Sequence, residues 1–314
     1  MSETRFQKTP FHYMQYLALK AFCVVFALLP YRFAVWISRT LMRGTTVFFP
    51  NRFKRMEQDI ARAFPEKSAR EVHQIAVNSW SNMGTILAEF IQLSHMSREQ
   101  FKKHCHVTGL EKIKKAQGIT GGIIHIGHFT NWEAFGLAAS VYGMDKAVLA
   151  QRVDNPYIDE ETNRLRNIFG GKTFYSNHGE QPFFAAMRWL KRKCLLGILI
   201  DQNAGSSEVW IPFMGRTAAF SPITALLAIK MQVPVFPVQV ERKKDGLLVC
   251  HILDPLIPPT EYTMTTTRQF TKQLAAFYEK CLRDDPASWL WAHNRWKREA
   301  EGNAYLQAHP EERV

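Results

Sequence analysis

Apolar and polar positions follow two textures along this chain of 314 residues. Up to about residue 106 the pattern is helical. Residues 13–37 are rich in Leu, Phe, Val and Ala, most densely at 21–29, until Pro30 and Arg32 interrupt. The uninterrupted run is shorter than the ~20 residues a spanning helix needs. Three arrangements fit it: a short or tilted membrane helix ending near Pro30, two helices lying in the bilayer interface, or a buried pair of core helices. Amphipathic helices are expected over 53–64 and 69–93, separated by Pro65, with Ser68 as an N-cap.

From about Val107 short apolar runs of strand length alternate with helical ones. Strands are expected at 122–125, 147–150, 172–175, 195–200, 235–240 and 247–253. Helices are expected at 132–142, 158–168, 181–191, 222–231 and 265–283. Such alternation argues for an α/β fold with a mixed, largely parallel sheet flanked by helices. The polar tail after Lys297 is expected to fray. The chain therefore divides into an N-terminal membrane-associating helical segment (1–50), an α/β domain with its helical lead-in (51–300) and a polar tail (301–314).

Composition narrows this picture. Hydrophobic residues make up 46%, enough for a full core, so wholesale disorder is not expected. A formal charge of +12 points to an acidic partner: nucleic acid, anionic lipid or an acidic protein. Basic residues come after the apolar segment (Arg32, Arg39, Arg43, Arg52, Lys54, Arg55); if it spans, they place the chain beyond it in the cytoplasm. No small-residue cleavage site is obvious after the apolar run, so a signal peptide is not expected. Five scattered cysteines without a CxxC pair read as free thiols in a reducing compartment. His104-Cys105-His106 has no second ligand pair at zinc spacing.

The candidate chemistry centres on residues 123–133, Ile-Ile-His-Ile-Gly-His-Phe-Thr-Asn-Trp-Glu. His128 and Glu133 have four residues between them, at the corner between an expected strand and an expected helix. A carboxylate there can hold one imidazole nitrogen and leave the other to take a proton from a hydroxyl. His125 falls within the strand and is read as packed. After the next strand come Gln151-Arg152 and Asn155-Pro156, with Arg164 and Arg166 on the following helix. Arginines at strand ends suit phosphate or carboxylate groups; Arg166 is read as a solvated helix charge. Asp201 and Gln202 end a buried strand, where an acid is costly unless paired or functional, or caps the next turn. Residues 210–216 read as an apolar loop fit to line an acyl pocket, with Arg216 near an anionic headgroup. Trp289, Trp291, His293, Arg295, Trp296 and Lys297 suit a membrane interface, base stacking or a packed C-terminal element. With no G-x-S-x-G elbow, G-x-G-x-x-G or Walker A loop, the pair more readily activates an external hydroxyl than forms a covalent intermediate. Three other classes compete: a metal hydrolase using His125, His128 and Glu133, a basic nucleic-acid-binding protein, and a non-catalytic membrane scaffold.

Taken in order, Leu29-Pro30-Tyr31, residues 59–66 ending in Ala-Phe-Pro-Glu, His128 to Glu133, Asn155-Pro156, Asp201-Gln202-Asn203, residues 211–216 and Trp289 to Lys297 resemble the bacterial lauroyl/myristoyl acyltransferases of lipid A biosynthesis, late acyltransferases of the lysophospholipid acyltransferase superfamily. The resemblance covers most of the chain. It implies a glycerol-phosphate-acyltransferase-like core on the cytoplasmic face of the inner membrane. The implied donor is an acyl thioester on acyl carrier protein, and the acceptor a hydroxyl of an acylated glycolipid. It implies a ternary complex, with His128 as general base and Glu133 as its orienting partner. Arg152, Asn155, Arg164, Asp201, Gln202 and Arg216 are expected as substrate-binding residues. No metal, cofactor or nucleic-acid partner is expected. A lysophospholipid or another glycolipid remains an alternative acceptor, since these motifs report chemistry and pocket shape sets the acceptor.

Overall fold

Thr9 opens the first helix, its hydroxyl accepting from the His12 N–H with Pro10 in the first helical position, where a missing donor costs nothing. This computed structural model describes residues 7–175, 181–205 and 209–313; residues 1–6 of the expected N-terminal segment and residue 314 of the tail lie outside them. Helix α1 (Pro10–Leu28) stops before Pro30, and α2 (Tyr31–Gly44) follows. Only Cys23 and Phe26 of α1 are buried. Phe11, Met14, Val24, Val25 and Leu28 of α1 and Trp36 of α2 are exposed. Helix α1 is long and apolar enough to cross a bilayer, which makes it a candidate membrane-associating segment.

Helices α3 (Pro50–Ala63) and α4 (Ala69–Ser94) come next. Ser68 and Glu71 form a reciprocal capping box at the start of α4, worth ~1 kcal/mol. Gly84 lets α2 approach: a methyl group there would collide with the Ser38 carbonyl, and the Ser38 hydroxyl donates to Gly84 O at 2.7 Å.

The α/β core then runs α5 (Arg98–His104), β1 (Cys105–Thr108), α6 (Leu110–Ala116), β2 (Gly122–His125), α7 (Trp132–Val141), β3 (Lys146–Ala150), α8 (Pro156–Arg166), β4 (Lys172–Tyr175), α9 (Gln181–Lys191), β5 (Leu195–Ile198), β6 (Val209–Phe213), β7 (Arg216–Phe220), α10 (Ile223–Met231), β8 (Val235–Arg242), β9 (Leu248–Ile252), α11 (Met264–Asp284) and α12 (Glu299–Ala308). Seven strands form one sheet in the order β1-β9-β8-β2-β5-β3-β4. Its pairings are parallel except β8–β9. Ile124, Ile126 and Leu195 on one face pack with Ala134, Phe135 and Leu165 of α7 and α8. Ile123, Leu196 and Ile198 on the other pack with Trp189, Ala225 and Leu274 of α9, α10 and α11. Burial on both faces explains why these strands are continuous apolar runs.

Two segments differ from their sequence expectation. Residues 209–220 form a hairpin, not a loop. Met214 and Gly215, at φ 51° and 74°, make the two-residue turn, the backbone that matches strand twist. Pro212 disguised the strand, since proline is rare in sheet interiors. The tail does not fray. It forms α12, with Gly302 against the Trp210 ring and Leu306 buried beside Trp210 and Ala219. Its apolar seat is one glycine contact and Leu306, too little to show as helical periodicity, and Glu299 at its head pairs with Arg216.

Candidate active site

Strands β2 and β5 are neighbours in the sheet, with His125 opposite Ile198. The positions three further along each strand, His128 and Asp201, therefore emerge level with each other at the carboxyl edge, where ligands gather in α/β sheets. His128 Nδ1 lies 2.8 Å from Asp201 Oδ1, and the His128 backbone N–H donates to Oδ2 at 2.7 Å. The Trp289 indole N–H donates to the same Oδ2 at 2.9 Å. Burial alone would raise this fully buried carboxyl. The charge and hydrogen bonds of His128, with the Trp289 donor, outweigh burial and hold it at about 2. An ionised Asp201 fixes the proton on Nδ1 and leaves Nε2 as the acceptor, 3.2 Å from the Gln202 amide nitrogen. The Trp132 ring stands edge-on to the imidazole, centroids 4.7 Å apart.

The turn carrying His128 is clamped from behind. Phe129 bridges to Trp289, Leu290 N–H donates to His128 O at 3.1 Å, and Thr130 N–H donates to Ser288 O at 2.9 Å. Thr130 sits at φ 47°, an uncommon conformation for a β-branched residue, and the Asn82 side chain donates to its carbonyl at 3.1 Å. Asn131 caps α7, accepting from the Ala134 N–H, and donates to Glu89 at 2.8 Å. Glu89 is buried, and Arg242 forks onto it at 2.6 and 2.7 Å. A buried acid with a forked cation and a second donor is a fully satisfied anchor.

A cavity of about 680 Å³ opens onto His128 and Gln202 and is bordered by Trp132, Glu133, Gln151 and Arg166. Here the structure departs from the expected pairing. Glu133 makes no hydrogen bond to His128. It accepts from Arg166 Nε at 2.9 Å and Nη2 at 2.5 Å, and from the Trp132 indole at 3.2 Å. On the first turn of α7 its side chain faces α8, while His128 still follows the strand; five positions across a corner need not share a direction. Arg166, read from sequence as solvated, thus belongs to the site.

The other expected residues scatter. Asp201 holds His128 and is fully buried, so it is not a free substrate ligand; Gln202 does line the cavity. Arg152 stacks on the Tyr175 ring at 4.8 Å. Arg164 forks onto Glu161 one turn back, at 2.9 and 2.8 Å, half exposed. Asn155 caps α8 and donates to His12 O and Gln15 Oε1 of α1 at 2.8 and 3.0 Å, tying the N-terminal helix to the core. Arg216 lies between Asp59 and Glu299 at 2.7 and 2.6 Å, over the Trp296 ring. These last three serve packing, because ends of helices and hairpins collect charges as strand ends do. His125 is packed as expected, its Nε2 3.0 Å from Leu274 O and its Nδ1 3.2 Å from the Tyr278 hydroxyl. Burial pulls it down to about 4. His125, His128 and Glu133, the ligands of the metal-hydrolase alternative, therefore point to three different partners. Trp289, Trp291, Arg295 and Trp296 are buried, which favours the packed C-terminal element over base stacking.

Sequence reading missed Arg166 and Lys146, which border the cavity, and Asn82, Glu89, Asn131 and Arg242, which hold the turn behind His128. Glu89 left a signal: an acid amid Leu87-Ala88 and Phe90-Ile91 of an amphipathic helix must be paired if buried. So did Lys146, a charge at the head of an apolar strand.

Comparison with known proteins bears on this site. The family model described as bacterial lipid A biosynthesis acyltransferase matches residues 4–298. The chain is 27% identical over 281 residues to the lipid A biosynthesis lauroyltransferase of Escherichia coli K12, covering 87% of this chain and 86% of that protein. It is 22% identical over 284 residues to the palmitoleoyltransferase of the same organism, covering 88% and 89%. The lipid A biosynthesis acyltransferase of Shigella flexneri matches with the same figures. With a His–Asp pair at the mouth of a cavity on the carboxyl edge of the sheet and a family match along nearly all of its length, the chain belongs to the bacterial lipid A biosynthesis acyltransferase family.

Proposed function

We propose that this protein moves a fatty acyl group from a thioester on acyl carrier protein to a hydroxyl of a lipid A precursor, with His128 as general base held by Asp201. The observation that carries the reading is the orientation of His128: Nδ1 is committed to Asp201 and the ring borders the cavity. His128 Nε2 takes the proton of the acceptor hydroxyl as its oxygen attacks the thioester carbonyl carbon. Asp201 stabilises the imidazolium, as an ionised carboxylate at about 2 can throughout the neutral range. The tetrahedral intermediate collapses with cleavage of the C–S bond, and the imidazolium returns its proton to the departing thiolate. Gln202, which lines the cavity beside His128, would serve as a donor to the developing oxyanion. Glu133 acts through Arg166, presenting a fixed guanidinium to the phosphate-bearing substrates. The apolar length of the cavity suits an acyl chain. The +12 charge suits both an acidic carrier protein and anionic lipid. Exposed α1 fits attachment at the inner membrane, with the core on its cytoplasmic face.

The test is labelled acyl transfer from acyl carrier protein, offering Kdo-bearing lipid A precursor and lysophospholipid side by side, with His128→Ala as control. Transfer to the precursor that depends on His128 is expected. His128-dependent transfer to lysophospholipid alone would keep the chemistry and change the acceptor. Undiminished transfer by a folded His128→Ala protein would overturn the mechanism.

A further inference from the structure

The cavity continues past His128 into a cleft between α7 and the sheet, and its walls fall into rows. Lys146 and Gly122 both lie opposite Leu195, and Val148 and Ile124 both lie opposite Gly197. Side chains alternate along strands, so Lys146, Val148 and Ala150 of β3 share a face with Leu195 and Gly197 of β5 and Ile124 of β2. All but Gly122 border the cavity. Above them α7 presents Gly136 and Ala139, one turn apart. A side chain added at Gly136 would meet nothing within 4 Å, and one at Gly197 would come 3.3 Å from Val148 Cγ1. The cleft is therefore open because these positions lack bulk.

Its depth ends at Lys146. This residue is at the start of β3, four strand steps (about 13 Å) below Ala150 at the catalytic edge. The side chain is 4% exposed, and its ammonium donates to Arg166 O in the last turn of α8 at 3.2 Å. Its stem packs where any side chain at Gly171 would stand. A tethered lysine closes the bottom corner of the cleft, beside the Glu133–Arg166 pair that also borders it.

We propose that donor chain length is selected in this cleft, with Gly136 and Ala139 setting its width and the Lys146 side chain its depth. The proposal rests on the acyl-transfer reading for its substrate. It makes the lysine a wall, acting by volume and not by charge: an alkyl chain gains free energy per methylene buried until it meets the Lys146 side chain.

Two readouts test it. Turnover is compared with carrier-protein thioesters of eight to sixteen carbons, and binding of the free fatty acids of the same lengths is measured by calorimetry, each variant first checked by thermal melting. Ala139→Leu is expected to favour shorter chains, changing the long-to-short ratio of kcat/KM by about tenfold. Lys146→Ala is expected to favour longer chains, while Lys146→Met, similar in length, keeps the wild-type profile. Binding should shift in the same sense. If wild type binds chains with a profile that follows these variants but transfers none, the cleft stands and the transfer reading falls. If folded Ala139→Leu and Lys146→Ala keep the wild-type profile, the proposal is overturned whatever the turnover.

Discussion

His128 and Asp201 are 73 positions apart in sequence and meet at 2.8 Å because β2 and β5 are adjacent and in register. Asp201 also accepts from the backbone of His128 and from Trp289, so one carboxylate fixes the His128 ring, its turn and the Trp289 side chain together. Asp201→Asn removes the charge and allows the amide to favour the other tautomer. The expected loss of turnover is roughly 10²–10⁴-fold with melting temperature largely kept. Trp289→Phe removes one donor and should cost about tenfold. Initial rates on both variants check this, and an Asp201→Asn enzyme at wild-type rate would remove the pair from the mechanism.

Glu133 and Arg166 are expected to behave as one unit. Glu133→Gln leaves a half-buried guanidinium uncompensated, and Arg166→Met leaves the carboxylate so. Each should destabilise by about 1–3 kcal/mol, and the double variant by less than their sum. Denaturant unfolding of the four proteins measures the coupling; additive losses would show that the two side chains act separately.

Acid sensitivity should appear well above the range in which carboxylates titrate. Burial lowers His125 and His293 to about 4 from a usual 6.5. In the unfolded chain both take protons below about 6.5, while the native protein refuses them. Stability therefore falls as pH drops from 6.5 towards 4, by at most ~1.4 kcal/mol per pH unit for each group. Asp201, held at about 2, adds to the loss only below about 4. Melting temperatures across this window check the slope. A flat profile from pH 7 to 4.5 would contradict the burial of these rings.

Exposed Val24 and Val25 should set membrane attachment. A charge deep in an apolar helix costs about 3 kcal/mol in a bilayer, so Val24→Asp with Val25→Asp should release the protein from anionic liposomes in flotation assays. Full retention would move the attachment surface away from α1.

The helices at 132–142 and 181–191 and the strands at 122–125 and 172–175 were legible because each is a local pattern: apolar periodicity bounded by breakers. The same holds for His128 as the candidate reactive residue, since it comes after an apolar strand at the head of a helix. Its partner was not legible. Glu133 is near in sequence but points across α7 to Arg166, whereas Asp201 is distant in sequence but next door in the sheet. Strand order is a property of which buried faces pack, and no local pattern encodes it. The fates of Arg164 and Arg166, two positions apart on one helix, show the limit again: Arg164 turns towards Glu161, and Arg166 reaches the cavity. By itself the sequence determined the α/β texture, the apolar lead-in and the candidate base. Tertiary packing alone decided what holds that base, which arginine borders the site and how deep the cleft runs, because each depends on residues brought together by sheet register and helix docking.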